Sequence, residues 1–246
     1  MQMIQTKSFN IAARTQGDPT ASKVAILMPG RLDSKDYCNF VSHAAFLAKQ
    51  GFYAVAIDPP GTWDSPGGLD TYTTSTYLQA VNELINYFGN RPTVLLGHSR
   101  GGATAMLASH NPAVVGLVVV NAAYGSPHPP NPDRIKGGVY LESRDIPPGS
   151  SRTVERRLFS LPLAYFEDGT HHDPLGALTS FDGPKLLVHT KRDEFVTMER
   201  VKSIYDNLSD PKMFQEIDST HDYRLFPDAI RTVESALTEF IEKYIH

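Results

Sequence analysis

One serine lies in a turn whose residue types could make it a nucleophile: Gly97-His98-Ser99-Arg100-Gly101-Gly102. The turn follows the apolar residues 94–96 and precedes the alanine-rich residues 103–108, so a buried strand, a sharp turn and a helix are predicted. In that context the pattern G-x-S-x-G is typical of a nucleophile elbow, which exposes its serine at the carboxyl end of a strand. Ser99 is therefore the predicted nucleophile. The alternative is a glycine-rich strand–helix turn with an incidental serine.

A serine hydroxyl needs an imidazole to take its proton, and the imidazole needs a carboxylate to hold its tautomer. Asp193 follows the predicted strand 185–189, and His221 lies in the last loop before the final helix. Serine, acid and histidine thus come in the expected chain order, each after a different strand. Glu194 is the main competitor for the acid, and Asp193 could instead belong to a solvated charged turn. The chain has nine histidines, so coincidence at position 221 remains an alternative.

Acyl transfer also needs two backbone N–H groups aimed at the developing oxyanion. We expect one from Arg100, directly after the nucleophile, and one from Arg31 in the loop after residue 28, with Leu32 as the next choice. The side chain of Arg100 is expected to be solvated, whereas that of Arg31 could reach an acidic substrate group. Leu32, Trp63 and Tyr124 are candidate pocket residues, although the two aromatic residues could equally be packing residues.

Alternating strands and helices must position these residues. The predicted strands cover residues 24–28, 52–57, 94–96, 114–120, 185–189 and 213–217, and helices occupy the segments between them, including 73–89 and 197–208. A hairpin is predicted over residues 1–15. This alternation predicts an α/β fold with a doubly wound, mostly parallel sheet, whose ligands bind at the carboxyl ends of the strands.

The alternation is interrupted between residues 120 and 185. Six prolines lie in the first part of this segment, and a helix is predicted over residues 151–160. A long insertion at the active-site edge is typical of a lid, so a small cap is predicted over about residues 124–182. The alternative is an ordinary helical crossover with a long loop. Residues 1–246 otherwise form a single predicted domain.

Composition excludes several classes of protein. The net charge of −4 is mild and leaves no basic surface for nucleic acid. The single cysteine, Cys38, excludes an intramolecular disulfide and is expected to be a small buried helix residue. Neither a signal peptide nor a membrane-spanning run is found, so a cytoplasmic location is predicted, with a mature chain that has lost its leader as the alternative. The candidate catalytic residues Ser99, Asp193 and His221 predict a small-molecule partner.

His171-His172-Asp173 suggest a metal site, with His128 as a further ligand. The spacing matches no zinc pattern, so these are expected to be polar loop residues. No metal and no organic cofactor are predicted.

Together, the glycine-rich turn around Ser99, Asp193 and His221 resemble the α/β-hydrolase fold enzymes over nearly the whole chain. The segment 58–65, Asp-Pro-Pro-Gly-Thr-Trp-Asp-Ser, is similar to the loop Asp-x-Arg-Gly-x-Gly-x-Ser of the cap-bearing esterase and monoacylglycerol-lipase-like group. Pro29 replaces the usual histidine before the oxyanion loop, and Pro60 replaces the usual arginine.

The resemblance implies a serine carboxylesterase that cleaves small to medium acyl esters through an acyl-enzyme. Related dehalogenases and epoxide hydrolases carry an aspartate where Ser99 stands, so neither activity is expected. A thioesterase or amidase with the same triad remains an alternative. A non-catalytic protein that binds a small ligand is the alternative from another class.

Overall fold

A central eight-stranded sheet organises the chain in the computed structural model, which describes residues 1–245. Its strands are β1 (Gln2–Gln5), β2 (Asn10–Gln16), β3 (Lys23–Met28), β4 (Phe52–Ile57), β5 (Thr93–His98), β6 (Val114–Val120), β10 (Lys185–Arg192) and β11 (Lys212–Thr220). They are ordered β1-β2-β4-β3-β5-β6-β10-β11. All neighbours from β4 to β11 are parallel, and β1 and β2 form the antiparallel edge hairpin. The predicted fold class is confirmed.

Helices cover both faces of this sheet. They are α1 (Cys38–Lys49), α2 (Thr74–Tyr87), α3 (Arg100–Ala108), α4 (Ala164–Gly169), α5 (Pro174–Ser180), α6 (Met198–Asp206) and α7 (Pro227–Tyr244). One apolar cluster joins one face of the sheet to α1 and α7, and the other joins the opposite face to α2, α3 and α6. Because both faces are covered, β4 and β5 are buried along their whole length. Continuous apolar runs are typical of such strands.

The insertion between β6 and β10 carries a second, smaller sheet. Strands β7 (Ile135–Lys136), β8 (Val139–Asp145) and β9 (Arg156–Pro162) are antiparallel neighbours, and α4 and α5 follow them. Strands β8 and β9 contribute residues to the cavity above the carboxyl ends of β5 and β6. The role of this insertion as a cap stays a prediction.

The prediction of a helix over residues 151–160 is wrong, because the structure has no helix in this segment. Charged residues at helical spacing suggested it, but from Arg156 onward the chain is strand β9, paired with β8. Phe159 and Leu161 are buried, while Leu158 and Ser160 on either side of Phe159 are exposed, which is the two-residue period of a strand. Pairing with β8 therefore overrides the local helical pattern.

Candidate active site

Ser99 lies at the sharp turn between β5 and α3. Its φ of +53° is in the left-handed region, which a residue with a side chain rarely adopts, so the turn is strained. The neighbouring glycines permit it. A Cβ atom at Gly97 would overlap the carbonyl group of Gly101, and one at Gly101 would overlap the carbonyl oxygen of Met28. The close approach of β3, β5 and α3 thus explains the small residues of the motif.

The structure brings Ser99, His221 and Asp193 into hydrogen-bonding distance. His221 follows β11 and Asp193 follows β10. The Nε2 atom of His221 lies 2.9 Å from the Ser99 Oγ, and its Nδ1 atom lies 2.6 Å from the Asp193 Oδ2. A neutral imidazole with its proton on Nδ1 can therefore donate to the carboxylate and accept from the serine.

The Asp193 carboxylate faces three partners, the imidazole of His221 and two backbone N–H groups. Its side chain is only 1% exposed, and Oδ1 accepts the backbone N–H groups of Phe195 and Val196 at 2.8 and 2.9 Å. Burial by itself raises the pKa of Asp193, but the hydrogen bond and charge of His221 and these N–H groups outweigh it. The net pKa lies below its usual value. Asp193 is thus held as an anion facing the imidazole.

Glu194, the alternative acid, has a different position. Its carboxylate accepts the backbone N–H of His221 at 3.1 Å, and the side chain is exposed. It therefore contacts the main chain of the histidine loop rather than the imidazole ring. The ring of Phe195 packs edge-on against that imidazole, with centroids 4.6 Å apart.

Two residues that the sequence reasoning missed hold the backbone of His221. The carbonyl oxygen of His221 accepts hydrogen bonds from His98 Nε2 and Asn121 Nδ2, both at 3.1 Å. The Asn121 Oδ1 also accepts the N–H of Thr190 at 2.9 Å, so this amide joins the ends of β6, β10 and β11. Asn121 directly follows β6, and a polar residue at a strand end is a signal that could have identified it.

The backbone N–H groups of Arg31 and Arg100 are free to face an oxyanion. Neither donates to an acceptor among residues 1–245, whereas the Leu32 N–H points to the hydroxyl of Tyr72 at 3.3 Å. The Arg31 loop also lies against the elbow, because a Cβ atom on Gly30 would be 3.1 Å from that of Ser99. This favours Arg31 over Leu32 as the second donor.

The carbonyl group of Arg31, which belongs to the peptide after the candidate donor N–H, is held by the insertion. Arg144 of β8 donates from Nε and Nη2 to the carbonyl oxygen of Arg31 at 2.9 and 2.6 Å. The same guanidinium contacts Asp33 at 3.2 Å and Glu142 at 2.7 Å. Glu142 pairs in turn with the side chain of Arg31 at 2.9 Å.

The expectation of a solvated Arg100 side chain is wrong. Arg100 is only 8% exposed, and its guanidinium donates to the Gly125 carbonyl and the Thr74 hydroxyl. The side chain turns inward because α3 starts beneath the insertion, so the segment after β6 covers it. The side chain of Arg31 lines the cavity, and its reach to an acidic substrate group stays a prediction.

A cavity of about 880 Å³ opens over Ser99 and His221. Tyr124 lines it, but Leu32 and Trp63 do not, which corrects the pocket predicted from the sequence. The Trp63 indole donates to the Leu32 carbonyl at 2.8 Å and packs edge-on against Tyr37 and Phe159. It is therefore a packing residue beneath the insertion.

The histidines of the suggested metal site do not form a ligand cluster. His172 lies 2.8 Å from the Ser75 hydroxyl, and His128 lines the cavity. Within residues 1–245, no group of three acidic, histidine or cysteine side chains is placed to hold a metal ion. Cys38 is only partly buried, which corrects its expected burial, and its thiol donates to the Arg224 carbonyl. No helix in this part of the chain is long and apolar enough to cross a membrane.

Comparison with known proteins points to one family. A family model described as "Alpha/beta hydrolase family" matches residues 26–234. The mouse (Mus musculus) protein named "Palmitoyl-protein thioesterase ABHD10, mitochondrial" is 22% identical over 222 residues, which cover 89% of this chain and 75% of the relative.

Two solved structures illustrate the shared fold. Est1E from Butyrivibrio proteoclasticus with bound ferulic acid superimposes with a TM-score of 0.74 at 17% identity, covering 100% of this chain and 99% of its own. A thioesterase domain from the curacin biosynthetic pathway does so with a TM-score of 0.72 at 18% identity, covering 96% and 98%. At these identities the similarity concerns the fold.

Proposed function

The chain belongs to the alpha/beta hydrolase family, and on that premise we propose that it is a serine carboxylesterase acting on small to medium acyl esters. Ser99 is the nucleophile, His221 the general base and acid, and Asp193 the carboxylate that orients the imidazole. The observation that carries this proposal is the continuous hydrogen-bonded series from the Ser99 hydroxyl through His221 to the buried Asp193.

Acylation follows from this geometry. As the Ser99 Oγ attacks the ester carbonyl carbon, its proton passes to His221 Nε2, and the Asp193 carboxylate stabilises the imidazolium. The carbonyl oxygen becomes an oxyanion, which accepts the N–H groups of Arg31 and Arg100. When the tetrahedral intermediate collapses, the bond to the alcohol oxygen breaks and His221 returns the proton to the leaving alcohol.

Deacylation repeats these steps with water. His221 takes a proton from a water molecule, whose oxygen attacks the acyl carbon of the acyl-enzyme. The bond to Ser99 Oγ then breaks, His221 protonates that oxygen, and the carboxylic acid is released. These steps require no metal ion and no organic cofactor.

Thioester hydrolysis is the second candidate. The same steps cleave a thioester, with a thiol in place of the alcohol as leaving group. The names of the mammalian relative and of the curacin domain favour it, because both are called thioesterases. Which acyl derivative is preferred depends on the cavity, which the insertion partly encloses. We assign residues 124–182 the role of a cap over the substrate.

A cytoplasmic location stays a prediction from the sequence, and the mouse relative is named as mitochondrial. A small molecule is the proposed substrate, since the cavity volume of about 880 Å³ is in the range of small-molecule sites.

The test compares wild type and Ser99→Ala on a 4-nitrophenyl ester and on an oxyester and thioester of the same acyl chain. Loss of the nucleophile is expected to lower kcat/KM by at least about a thousandfold. The Ser235→Ala variant is the matched control, because this exposed serine on α7 donates to the Arg231 carbonyl and does not line the cavity. Equal rates for wild type and Ser99→Ala would rule out the proposal.

A fluorophosphonate probe tests the site independently of the substrate. We expect labelling of Ser99 in wild type and its loss in His221→Ala. A protein that remains unlabelled at Ser99 is instead a non-catalytic binder of a small ligand.

A further inference from the structure

Arginine residues are concentrated around the cavity. Eight of the 13 arginines in the chain line it, whereas none of the ten lysines does. The protein as a whole carries a net charge of −4, so this distribution does not follow from its overall composition. Arginine differs from lysine in presenting a planar fork of donors that matches the oxygens of a carboxylate or phosphate.

Five of the eight arginines are paired with carboxylates: Arg31, Arg144, Arg152, Arg156 and Arg224. They share four acidic residues, Asp33, Glu142, Asp145 and Asp222, and join the insertion to the strand ends. This part of the lining is a network of ion pairs that shapes the wall, so it does not by itself indicate a ligand.

The other three arginines have no carboxylate within 4 Å among residues 1–245: Arg100, Arg134 and Arg200. The buried guanidinium of Arg100 bonds only neutral groups, the Gly125 carbonyl and the Thr74 hydroxyl. The guanidinium of Arg134 lies 4.6 Å from the centre of the Tyr140 ring and donates to its hydroxyl at 2.8 Å. Arg200 reaches the cavity from α6.

The cavity therefore has an excess of positive charge. Glu194 is the one further carboxylate in its lining, and it accepts the backbone N–H of His221. Walls of low dielectric focus the field of unpaired cations on the space between them, which raises the local concentration of anions. A buried guanidinium without a carboxylate is also costly, and an anionic ligand offsets that cost.

We propose that the substrate carries a carboxylate or phosphate group in addition to the acyl bond that is cleaved, and that Arg134 and Arg200 bind it. This inference rests on the proposed function, since it concerns the substrate of the same site. Arg100 adds positive charge at the base of the cavity beside Ser99. The anionic group lies on the side of the substrate toward the insertion and α6, while the acyl carbon lies at Ser99.

Three matched esters test the inference: the 4-nitrophenyl monoester of glutaric acid, its neutral methyl diester, and an ester of the same length that ends in a phosphate. We expect kcat/KM to be at least about tenfold higher for an anionic ester, and this preference to shrink with added salt because ions screen the attraction. Comparing the carboxylate with the phosphate identifies the anion that the site takes.

The Arg134→Gln and Arg200→Gln variants, singly and together, link the preference to these residues. The double variant is expected to lose about tenfold more kcat/KM on the preferred anionic ester than on the neutral one. The control is Arg231→Gln, which removes an exposed arginine of α7 that pairs with Asp228 away from the cavity. This variant is expected to keep both rates.

Calorimetric titration with glutarate and with inorganic phosphate supplies a readout that needs no catalysis, and Ser99→Ala can be used for it. Binding that weakens in the double variant supports the inference. Ser99-dependent hydrolysis without anionic preference overturns the inference alone. If no ester is cleaved, the proposed function fails, and absence of glutarate and phosphate binding then overturns the inference as well.

Discussion

Two adjacent carboxylates in the loop after β10 have different environments, although their residue types are nearly equivalent. Asp193 is buried, accepts two backbone N–H groups and faces the imidazole Nδ1 of His221. Glu194 is exposed and accepts only the backbone N–H of His221. The difference arises because the loop turns back through the N–H groups of Phe195 and Val196, which point the shorter side chain inward.

This difference predicts unequal effects of isosteric substitutions. In Asp193→Asn, the amide can donate to Nδ1 and so favour the tautomer that cannot accept the Ser99 proton. We expect kcat on a 4-nitrophenyl ester to fall by about a thousandfold or more. Glu194→Gln is the matched control and is expected to change kcat only a few-fold, because its amide oxygen still accepts the His221 N–H. Similar losses in the two variants would contradict the assignment of Asp193.

At the scale of elements, β8 links the insertion to the loop after β3. Arg144 projects from β8 and holds the Arg31 carbonyl with two hydrogen bonds, while Asp33 and Glu142 fix its guanidinium. Arg31, whose N–H is proposed to face the oxyanion, is therefore held at its carbonyl, on the following peptide, by a strand more than a hundred residues later in the chain. The insertion thus contributes to the site as well as covering it.

We predict that Arg144→Lys lowers kcat by about a hundredfold with little change in KM, as expected when one oxyanion donor is misplaced. Lysine keeps the charge but loses the planar fork that contacts the carbonyl and both carboxylates. Arg157→Lys on neighbouring β9 is the control, since Arg157 packs over Trp63 and does not line the cavity. Ester kinetics and Tm are measured together. A fall in Tm with unchanged kcat would show that Arg144 only stabilises the fold.

At the scale of the whole molecule, the ion-pair network makes stability depend on pH. Burial raises the pKa of Asp33, but its contact with His98 and the positive charges of Arg144 and Arg224 lower it to a net value of about 2. The pKa values of Glu142 and Asp145 are also lowered by neighbouring arginines, against the opposing effect of burial. The pKa of Asp58 is shifted in the opposite direction, upward, because burial raises it more than Lys35 lowers it.

A carboxylate whose pKa is lower in the folded state stabilises the fold above its unfolded pKa, and this contribution is lost as the pH falls through the folded value. For Asp33 this stabilisation is lost between pH 3.8, the ordinary pKa of the group, and a pH of about 2, its pKa in the folded protein. The shift corresponds to about 2 kcal/mol at neutral pH.

We therefore predict that Asp33→Asn lowers the free energy of unfolding at pH 7 by about 2 kcal/mol and that the difference from wild type narrows toward pH 2. Urea unfolding of both proteins, followed by circular dichroism at pH 7, 4 and 3, measures this difference in the free energy of unfolding. Asp218→Asn is the control, since that carboxylate is largely exposed at 70%. A constant difference across this pH range would contradict the assigned pKa.

Much of the fold could be predicted from the sequence because it depends on local patterns. Apolar runs predict the buried parallel strands, and the glycine spacing around Ser99 predicts the strand–turn–helix. The order of Ser99, Asp193 and His221 follows from the same alternation, since each residue comes directly after a strand. Their catalytic roles stay predictions that the variants above test.

The sequence alone thus determined the sheet, the turn at Ser99 and the strand ends that carry the other two residues, because hydrophobic period and backbone sterics act over a few residues. Only the tertiary structure decided the rest: that residues 156–162 form a strand, that Trp63 packs beneath the insertion, and that Arg100 is buried. Each of these depends on a partner far along the chain. The charge of the cavity has the same origin, because its arginines come from separate elements and only the fold brings them together.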